Sequence, residues 1–398
     1  MSDFLLSEEL AAIRAQVRAL VDSKIIPAEK AIFEEDRAGR RDTLTALRAE
    51  AKKQGLWTPH LPVALGGRGL GPMGMCALFR EMGRSPVGAK VFHCDAPDQG
   101  NMDLLVQIAT PQQKTRFLEP LVRGEVTSAF CMTEPAPGAG ADPTNLKTAA
   151  TRVEGGWEIN GHKWFSTGGR NASFLLVMAR TSEDPKRGAS LFIVDKAAPG
   201  VRYLRDVPVM GETVLDHHEG EFEFEKLKVG PEALLGEVGD GFPLAQARLV
   251  PARLTHCMRW LGLAERTLSL CREYVTTRIS FGKELARHQA VQRMIYDSAE
   301  AIHAGNLMTL HAAWLLEQGK TREAKPYSSM AKTFVANALC KVLDDAIQMH
   351  GGRGYSEDLP FAQWYRAARA ARIADGPDEV HHMTVARDWL LGRIDLLV

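Results

Sequence analysis

The chain has 398 residues, with 49 basic and 49 acidic side chains and 45% apolar residues. This length allows two or three domains with a sizeable core, and the balanced charge argues against attraction to nucleic acid or anionic lipid. No apolar run approaches the roughly 20 residues of a membrane helix, so insertion into a membrane is not expected.

The cysteines, the histidines and the chain ends add further expectations. The six cysteines include no Cys-x-x-Cys pair, which indicates reduced thiols. No HExxH motif or Cys/His quartet is present, so we expect no metal site. The first ten residues lack a basic or Arg-rich leader pattern, and the last three are not a targeting tripeptide, so we expect a cytoplasmic location.

Residues 1–122 are predicted to be helical. Ser7 is a suitable N-cap for a first helix that we expect to end near Pro27, and a further helix is expected over about 112–121. The first helix is indicated by apolar residues at helical spacing: Leu10, Ile13, Val17, Leu20 and Val21.

Residues 123–235 are predicted to form a β-domain. Short β-branched and aromatic runs are separated by turn residues, at 128–133, 156–161, 174–178, 191–194 and 221–224. The dipeptide Asn160-Gly161 predicts a tight turn between two of these strands.

Residues 236–398 are again predicted to be helical, which gives an α+β chain. Arg278 follows the first apolar stripe by three residues, where a buried charge would need an anionic partner. Gly351-Gly352 is a natural C-cap for the second stripe. The stripes are Leu261, Ala264, Leu268, Cys271 and Val275, then Val335, Leu339, Val342, Ala346 and Met349.

Two distant segments carry most of the functional signal. The first, 130–142, is a predicted strand that breaks at Pro135 into a loop of glycine and small residues, where a backbone can approach a ligand closely. The second, 373–381, places Asp375, Asp378 and Glu379 in a turn around Gly376-Pro377. Either could be purely structural, as a proline turn or as helix caps.

Both segments, and the chain between them, resemble the acyl-CoA dehydrogenase family of flavoenzymes. The resemblance implies an N-terminal all-α domain, a middle β-barrel or sandwich and a C-terminal four-helix bundle. It also implies FAD as cofactor, an acyl-CoA substrate, an electron-transferring flavoprotein as acceptor, and a homodimer or homotetramer.

The resemblance also assigns roles in binding FAD. Trp164 would cover an edge of the flavin, and Ser166 would donate to its N5 atom. Arg278 would reach the FAD of a neighbouring subunit, because a guanidinium can bind two oxygens of the FAD diphosphate at once. The full implied set is Phe130, Met132, Thr133, Gly140, Trp164, Phe165, Ser166, Arg278, Ser280, Phe281, Gln289, Gln348, Met349, Gly351, Gly352, Pro377 and Glu379. Ala141, where many members have serine, Val250, Arg253 and Gly376 would contact the substrate.

Asp375 falls on the position of the family's catalytic base, which is usually glutamate. At the second position that some members use, this chain has Ala252, so Asp375 is the candidate that remains. A branch of the family with this aspartate shares the segments 96–102 and 256–259 in recognisable form. The implied reaction is α,β-dehydrogenation to a trans-2-enoyl-CoA, with the thioester carbonyl polarised by a flavin ribityl hydroxyl and by the backbone N–H of the base.

Two other functions remain open at this point. The chain could be an oxygen-using acyl-CoA oxidase or a nitroalkane-oxidase-like flavoenzyme, which also uses aspartate as base. It could also be a non-catalytic FAD-binding scaffold. The length, branching and hydroxylation of the acyl chain do not follow from the sequence.

Overall fold

The computed structural model describes residues 6–184, 187–210 and 218–396. In chain order these residues form helices, then a sheet, then helices, which confirms the predicted architecture. They divide into two compact units. The helical unit consists of the chain up to Leu56, Leu70–Val91 and the chain from Val250 onward, and the sheet unit of Trp57–Gly69 and Phe92–Leu249.

The helices fall into three consecutive groups along the chain, of which the middle group belongs to the sheet unit. The helical unit contains α1 (Glu8–Leu20), α2 (Ile26–Arg37), α3 (Asp42–Lys53), α4 (Pro72–Met82) and α5 (Gly88–Val91). The sheet unit contains α6 (Asp98–Ile108), α7 (Pro111–Gln113) and α8 (Glu119–Arg123). They are followed by α9 (Gly241–Thr277), which enters the helical unit at Val250, α10 (Gln289–Glu317), α11 (Thr321–His350), α12 (Gly352–Tyr355), α13 (Phe361–Arg369) and α14 (Asp378–Leu390).

One sheet of eight strands forms the core of the sheet unit. Its strands are β1 (Ser128–Cys131), β2 (Ala149–Val153), β3 (Gly156–Thr167), β4 (Phe174–Arg180), β5 (Ala189–Asp195), β6 (Val201–Asp206), β7 (Glu219–Val229) and β8 (Leu234–Leu235). Their order is β6-β7-β3-β2-β4-β5-β8, and β1 pairs with β4 in parallel. A two-stranded hairpin of β9 (Ile279–Ser280) and β10 (Lys283–Glu284) belongs to the helical unit.

Strand β4 shows why its apolar run is unbroken. Leu176 and Met178 belong to a core cluster shared with α6 and α8, whereas Leu175 and Val177 belong to a second cluster that includes Trp157. Alternate side chains of a strand point to opposite faces of the sheet, so a strand covered on both faces is apolar at every position.

The helical stripes predicted from the sequence are buried. The Ser7 hydroxyl accepts the Leu10 N–H at 3.2 Å, which confirms this N-cap. On α9 four residues of the stripe are buried and Leu268 is half-buried, and on α11 all five are buried. Gly351 is the C-cap of α11, with φ of +60°.

Two local predictions are wrong. Asn160-Gly161 is not a turn, because β3 continues through it with an irregularity in its pairing to β7. Glycine is needed at 161 because a Cβ there would lie 2.3 Å from the Thr148 Oγ1. Pro27 does not end a helix either, because the chain stays helical through a π turn over Val21–Ile25, and Pro27 lies in the first turn of α2, where its missing N–H costs little.

Candidate functional site

Two segments thirty residues apart lie side by side in the sheet unit. The chain leaves β1 and runs along β3, where the Trp164 N–H donates to the Thr133 carbonyl at 3.0 Å. Phe130, Met132 and Thr133 are half-buried, as is Trp164. We call Phe130, Met132, Thr133, Trp164 and Ser166 the β1–β3 surface.

A buried ion pair between Lys163 and Glu134 holds the chain that follows β1 against β3. The Lys163 side chain is fully buried. Its Nζ donates to the Met132 carbonyl at 2.8 Å and to Glu134 Oε1 at 2.9 Å. Burial raises the pKa of Glu134, but Lys163 and hydrogen bonds from Thr148 and Lys147 outweigh it and lower the pKa to about 2. Burial lowers the pKa of Lys163 to about 8 against the opposing effect of Glu134, so both groups are charged at neutral pH.

Two buried polar atoms of the β1–β3 surface have no hydrogen-bond partner among the residues that the structure describes. These are the Trp164 Nε1 and the Ser166 Oγ. The Ser166 hydroxyl lies beside the buried Cys131 thiol, which is a weak hydrogen-bonding group, and forms no bond of ordinary geometry with it. Unpartnered buried donors are costly. They fit a group that brings acceptor atoms to this surface, such as the flavin ring that the family resemblance implies.

The loop after β1 and the residue after Trp164 are open to solvent. Gly140 and Ala141 are exposed, and a Cβ built at Gly140 would meet no atom within 4 Å. Phe165 is 43% exposed, has φ of +49° and stacks edge-on against Trp164 at 5.0 Å. The predicted contact residues of this loop therefore lie on an accessible face of the unit.

Arg248 is a residue of this region that the sequence analysis missed. Its guanidinium lies 4.4 Å from the Phe130 ring centroid, in a cation–π arrangement. It donates to Asn101 Oδ1 at 2.8 Å and to the Pro97 carbonyl at 3.3 Å. Both partners belong to the segment 96–102, which carries part of the family resemblance, so this segment positions a cation over the β1–β3 surface.

In the helical unit, Asp375 adopts an unusual backbone conformation. Its φ is +54°, in the left-handed region that non-glycine residues rarely occupy. The Asp375 carbonyl accepts from Arg253 Nε at 3.1 Å and from His381 Nε2 at 3.2 Å. Lys332 Nζ donates to the neighbouring Gly376 carbonyl at 2.7 Å. Three helices, α9, α11 and α14, thus supply the donors that hold this turn.

The charges around the turn have defined roles. Burial lowers the pKa of His381 to about 4, with Arg253 and Lys332 adding to the effect, so His381 is a neutral donor. Burial also lowers the pKa of Lys332, although Asp378 opposes it. Burial raises the pKa of Asp378, but hydrogen bonds from Arg372 and Asn337 outweigh it and leave that pKa below its usual value. Asp378 is therefore a structural carboxylate.

The Asp375 carboxylate is accessible, and an imidazole contacts it. Its side chain is 21% exposed, while its Oδ2 is buried and lies 3.2 Å from His256 Nε2. Two other residues of the expected substrate region, Val250 and Arg253, are each 7% exposed on α9, as is Ala252. Pro377 is the N-cap of α14 and Glu379 is exposed in its first turn. The structure thus brings Arg253, Asp375 and Gly376 together, and adds His256, Lys332 and His381.

The remaining predicted cofactor residues lie in two parts of the helical unit: the β9–β10 hairpin with its flanks, and the C-terminal end of α11. In the hairpin, Phe281 and Gly282 both have positive φ, and Phe281 is 95% exposed. Arg278 is exposed because α9 ends at Thr277, and no ion pair to it occurs within the described residues, so the argument that burial demands an anionic partner is wrong. Gln289 and Gln348 are also exposed, together with Gly351 and Gly352, whereas Ser280 is half-buried and Met349 is buried.

Two general findings concern the described residues, 6–184, 187–210 and 218–396. Within them, no group of three or more His, Cys, Asp or Glu side chains is placed to hold a metal ion. None of their helices combines the length and the apolar character that crossing a membrane requires.

Comparison with known proteins shows matches along most of the chain. Models of the N-terminal, middle and C-terminal domains of acyl-CoA dehydrogenase match residues 7–125, 129–226 and 239–390. Probable acyl-CoA dehydrogenase FadE2 of Mycobacterium tuberculosis is 37% identical over 397 residues, covering 97% of this chain and 96% of that protein. The human acyl-CoA dehydrogenase family member 11 is 38% identical over 93% of this chain, and the chain spans about half the length (49%) of that relative.

A solved structure gives the same result. A Mycobacterium abscessus protein described as a candidate acyl-CoA dehydrogenase superposes with a TM-score of 0.92 at 36% identity, covering 98% of this chain and 99% of that one.

Proposed function

Because the chain belongs to the acyl-CoA dehydrogenase family of flavoprotein oxidoreductases, we propose that it dehydrogenates an acyl-CoA thioester to the trans-2-enoyl-CoA, with Asp375 as the base. Asp375 takes the α-proton, the β-hydrogen leaves with its electron pair, and a double bond forms between the α and β carbons. Bound FAD supplies the acceptor for this hydride.

The observation that carries the proposal is the construction of the Asp375 turn. A left-handed aspartate costs about 1–3 kcal/mol and persists where the surroundings enforce it, which is typical of functional sites. Here Arg253, Lys332 and His381 bond to the carbonyls of Asp375 and Gly376, while the Asp375 carboxylate stays partly exposed. The backbone of the turn is therefore fixed, and the partly exposed side chain can be reached by a substrate, as a general base must be.

We propose that the β1–β3 surface binds the flavin ring. Phe130 and Met132 offer apolar contact, and the Trp164 Nε1 and Ser166 Oγ offer donors that have no hydrogen-bond partner within the described part of the chain. A donor at Ser166 stabilises negative charge that develops on an acceptor nitrogen. Thr133, Gly140 and Phe165 complete the predicted contacts on this unit, and Pro377 and Glu379 those beside the base.

We further propose that the active unit is at least a dimer. Arg278, which makes no ion pair within the described residues, and the largely exposed Phe281 lie on the surface of the helical unit, as expected for residues that reach the FAD of a second copy. Ser280, Gln289, Gln348, Met349, Gly351 and Gly352 are assigned to the same contact. An electron-transferring flavoprotein as acceptor, Ala141 and Val250 as substrate contacts, and a cytoplasmic location stay predictions.

The experiment is an anaerobic titration of the purified, FAD-loaded protein with a panel of acyl-CoA thioesters. We expect at least one thioester to bleach the flavin absorbance and to yield the enoyl-CoA. Acid precipitation should release the flavin into the supernatant, since no covalent attachment is expected. A folded protein that takes up no FAD would contradict the proposal.

The same samples separate the alternatives. Oxygen consumption with an acyl-CoA, in the absence of any added electron carrier, identifies an oxidase, and bleaching by a nitroalkane identifies a nitroalkane-oxidase-like enzyme. Retained FAD with no bleaching by any member of the panel indicates a binding scaffold. Each of these results would contradict the proposed dehydrogenase activity and support the corresponding alternative.

A further inference from the structure

The tautomer of His256 is set by a neighbouring arginine. Arg259 lies three residues later on α9, and its Nη2 is 2.7 Å from His256 Nδ1. A guanidinium can only donate hydrogen bonds, so Nδ1 is the acceptor and carries no proton. The imidazole proton is therefore on Nε2, which lies 3.2 Å from Asp375 Oδ2, a buried oxygen that accepts no hydrogen bond of ordinary geometry within the described residues. Stacking on Trp260, at 5.5 Å and 22°, holds the plane of the ring.

We propose that His256 is a positioning residue for Asp375, acting as a neutral donor whose tautomer Arg259 fixes. The proposal rests on the proposed function, in which Asp375 is the base. A hydrogen bond donated to a carboxylate favours its ionised form, and it also restricts the direction of the carboxylate. The proton taken from the substrate goes to Asp375, and His256 keeps its own.

Other charged groups near Asp375 act on the backbone or at longer range. Arg253 and His381 bond to the Asp375 carbonyl, and Lys332 bonds to the Gly376 carbonyl. Asp378 is held by Arg372 and Asn337. Burial raises the pKa of the Cys257 thiol on α9 to about 12, so the thiol stays neutral. His256 therefore acts on the carboxylate itself, whereas these groups define the frame around it.

Protonation of His256 is opposed by the same geometry. An imidazolium needs a proton on Nδ1, and this would break the bond from Arg259 and place two cationic groups 2.7 Å apart. The bond from Arg259 therefore favours the neutral imidazole. Removing Arg259 should therefore allow His256 to titrate beside Asp375.

The test follows the Asp375 carboxylate directly, in FAD-loaded, oxidised protein labelled with γ-¹³C aspartate. Asp375→Asn identifies the resonance by its loss. We expect His256→Leu to raise the pH midpoint of the Asp375 titration by about one to two units, the scale of a hydrogen bond to a charged group. His256→Gln can still donate from its side-chain amide and should move the midpoint by less than half as much. His311→Leu, on α10, is the control and should change nothing.

Arg259→Met gives an independent result. The Asp375 resonance should titrate in two steps, one of them where the released His256 changes its charge. In the loaded enzyme, His256→Leu should slow flavin reduction about tenfold at pH 6 and change the KM for the acyl-CoA less than threefold.

Several outcomes decide the inference. An unchanged Asp375 midpoint in His256→Leu, or an effect equal to that of His311→Leu, overturns it. If His256→Leu does not fold, the Arg259→Met variant decides. An Asp375 titration curve equal to that of the wild type overturns the inference, and a two-step curve supports it. Undiminished flavin reduction in Asp375→Asn would instead refute the proposed base, whatever the His256 variants do, so the two failures are distinguishable.

Discussion

The buried pair of Lys163 and Glu134 should be strongly coupled. Lys163→Met removes the charge that faces Glu134 Oε1 at 2.9 Å and the bond to the Met132 carbonyl. Glu134 keeps the backbone N–H groups of Ala139, Lys147 and Thr148, so its carboxylate stays ionised but loses its counter-charge. The change should lower the free energy of unfolding of the sheet unit and loosen the chain between β1 and Thr148.

The magnitude follows from the distance and the burial. Two unit charges 2.9 Å apart attract by about 6 kcal/mol at an effective dielectric constant of 20. Desolvation offsets much of this attraction, and the loss of one partner of a buried pair typically costs about 3–5 kcal/mol. We expect that loss for Lys163→Met, and a similar one for Glu134→Gln. The double variant should be less destabilised than the sum of the two, with a coupling energy of about 2–3 kcal/mol.

The assay is a double-mutant cycle measured by urea denaturation at pH 7. Hydrogen exchange of peptides covering 128–148 reports the same change locally, which matters because the chain has two compact units. Lys228→Met is the control, since Lys228 is an exposed lysine of β7 in the same sheet. It should change stability by less than about 0.5 kcal/mol. Additive effects of Lys163→Met and Glu134→Gln, with a coupling below about 0.5 kcal/mol, would refute the reasoning.

Two further predictions concern pH and assembly. The pKa of Glu134 in the folded state is about 2, below its unfolded value of about 4.3. The ionised Glu134 therefore contributes fully to the free energy of unfolding above about pH 4.3. About 3 kcal/mol of stability should be lost as pH falls from there toward 2, and Glu134→Gln should abolish this dependence in acid denaturation curves. Arg278→Ala and Phe281→Ser should weaken FAD retention and association in sedimentation experiments without lowering the Tm of the flavin-free protein, and a monomer that keeps its full flavin content would contradict the shared site.

Much of the architecture was predictable because it follows from periodicity. The α9 and α11 stripes and the β4 run reflect burial of one face or of both faces, which sequence spacing encodes directly. Asn160-Gly161 failed because a strong turn propensity was overridden by tertiary packing: glycine at 161 meets the need for close approach to Thr148. Turn propensity is local, whereas that contact is not.

The candidate site was predictable only in part. Asp375, Trp164 and Ser166 came from family resemblance, and the adjacency of 130–133 to 164–166 follows from strand pairing that no local pattern specifies. The sequence analysis did not single out Lys332, which is fully buried, because its partner, the Gly376 carbonyl, is distant in sequence and no local pattern reveals the contact.

One missed residue did leave a signal in the sequence. His256 and Arg259 are three residues apart, the spacing at which side chains on a helix meet. That spacing predicts their contact, although it gives no indication that the imidazole also faces Asp375.

The most direct test of the central claim is rapid flavin reduction in Asp375→Asn. The variant keeps the shape and the backbone of the turn but cannot accept a proton, so it should bind FAD and a non-reducible acyl-CoA analogue as the wild type does. Single-turnover reduction by a good substrate should fall by about 10²-fold or more, the scale of a general base. Reduction at the wild-type rate would show that another group removes the α-proton and would contradict the assignment of Asp375.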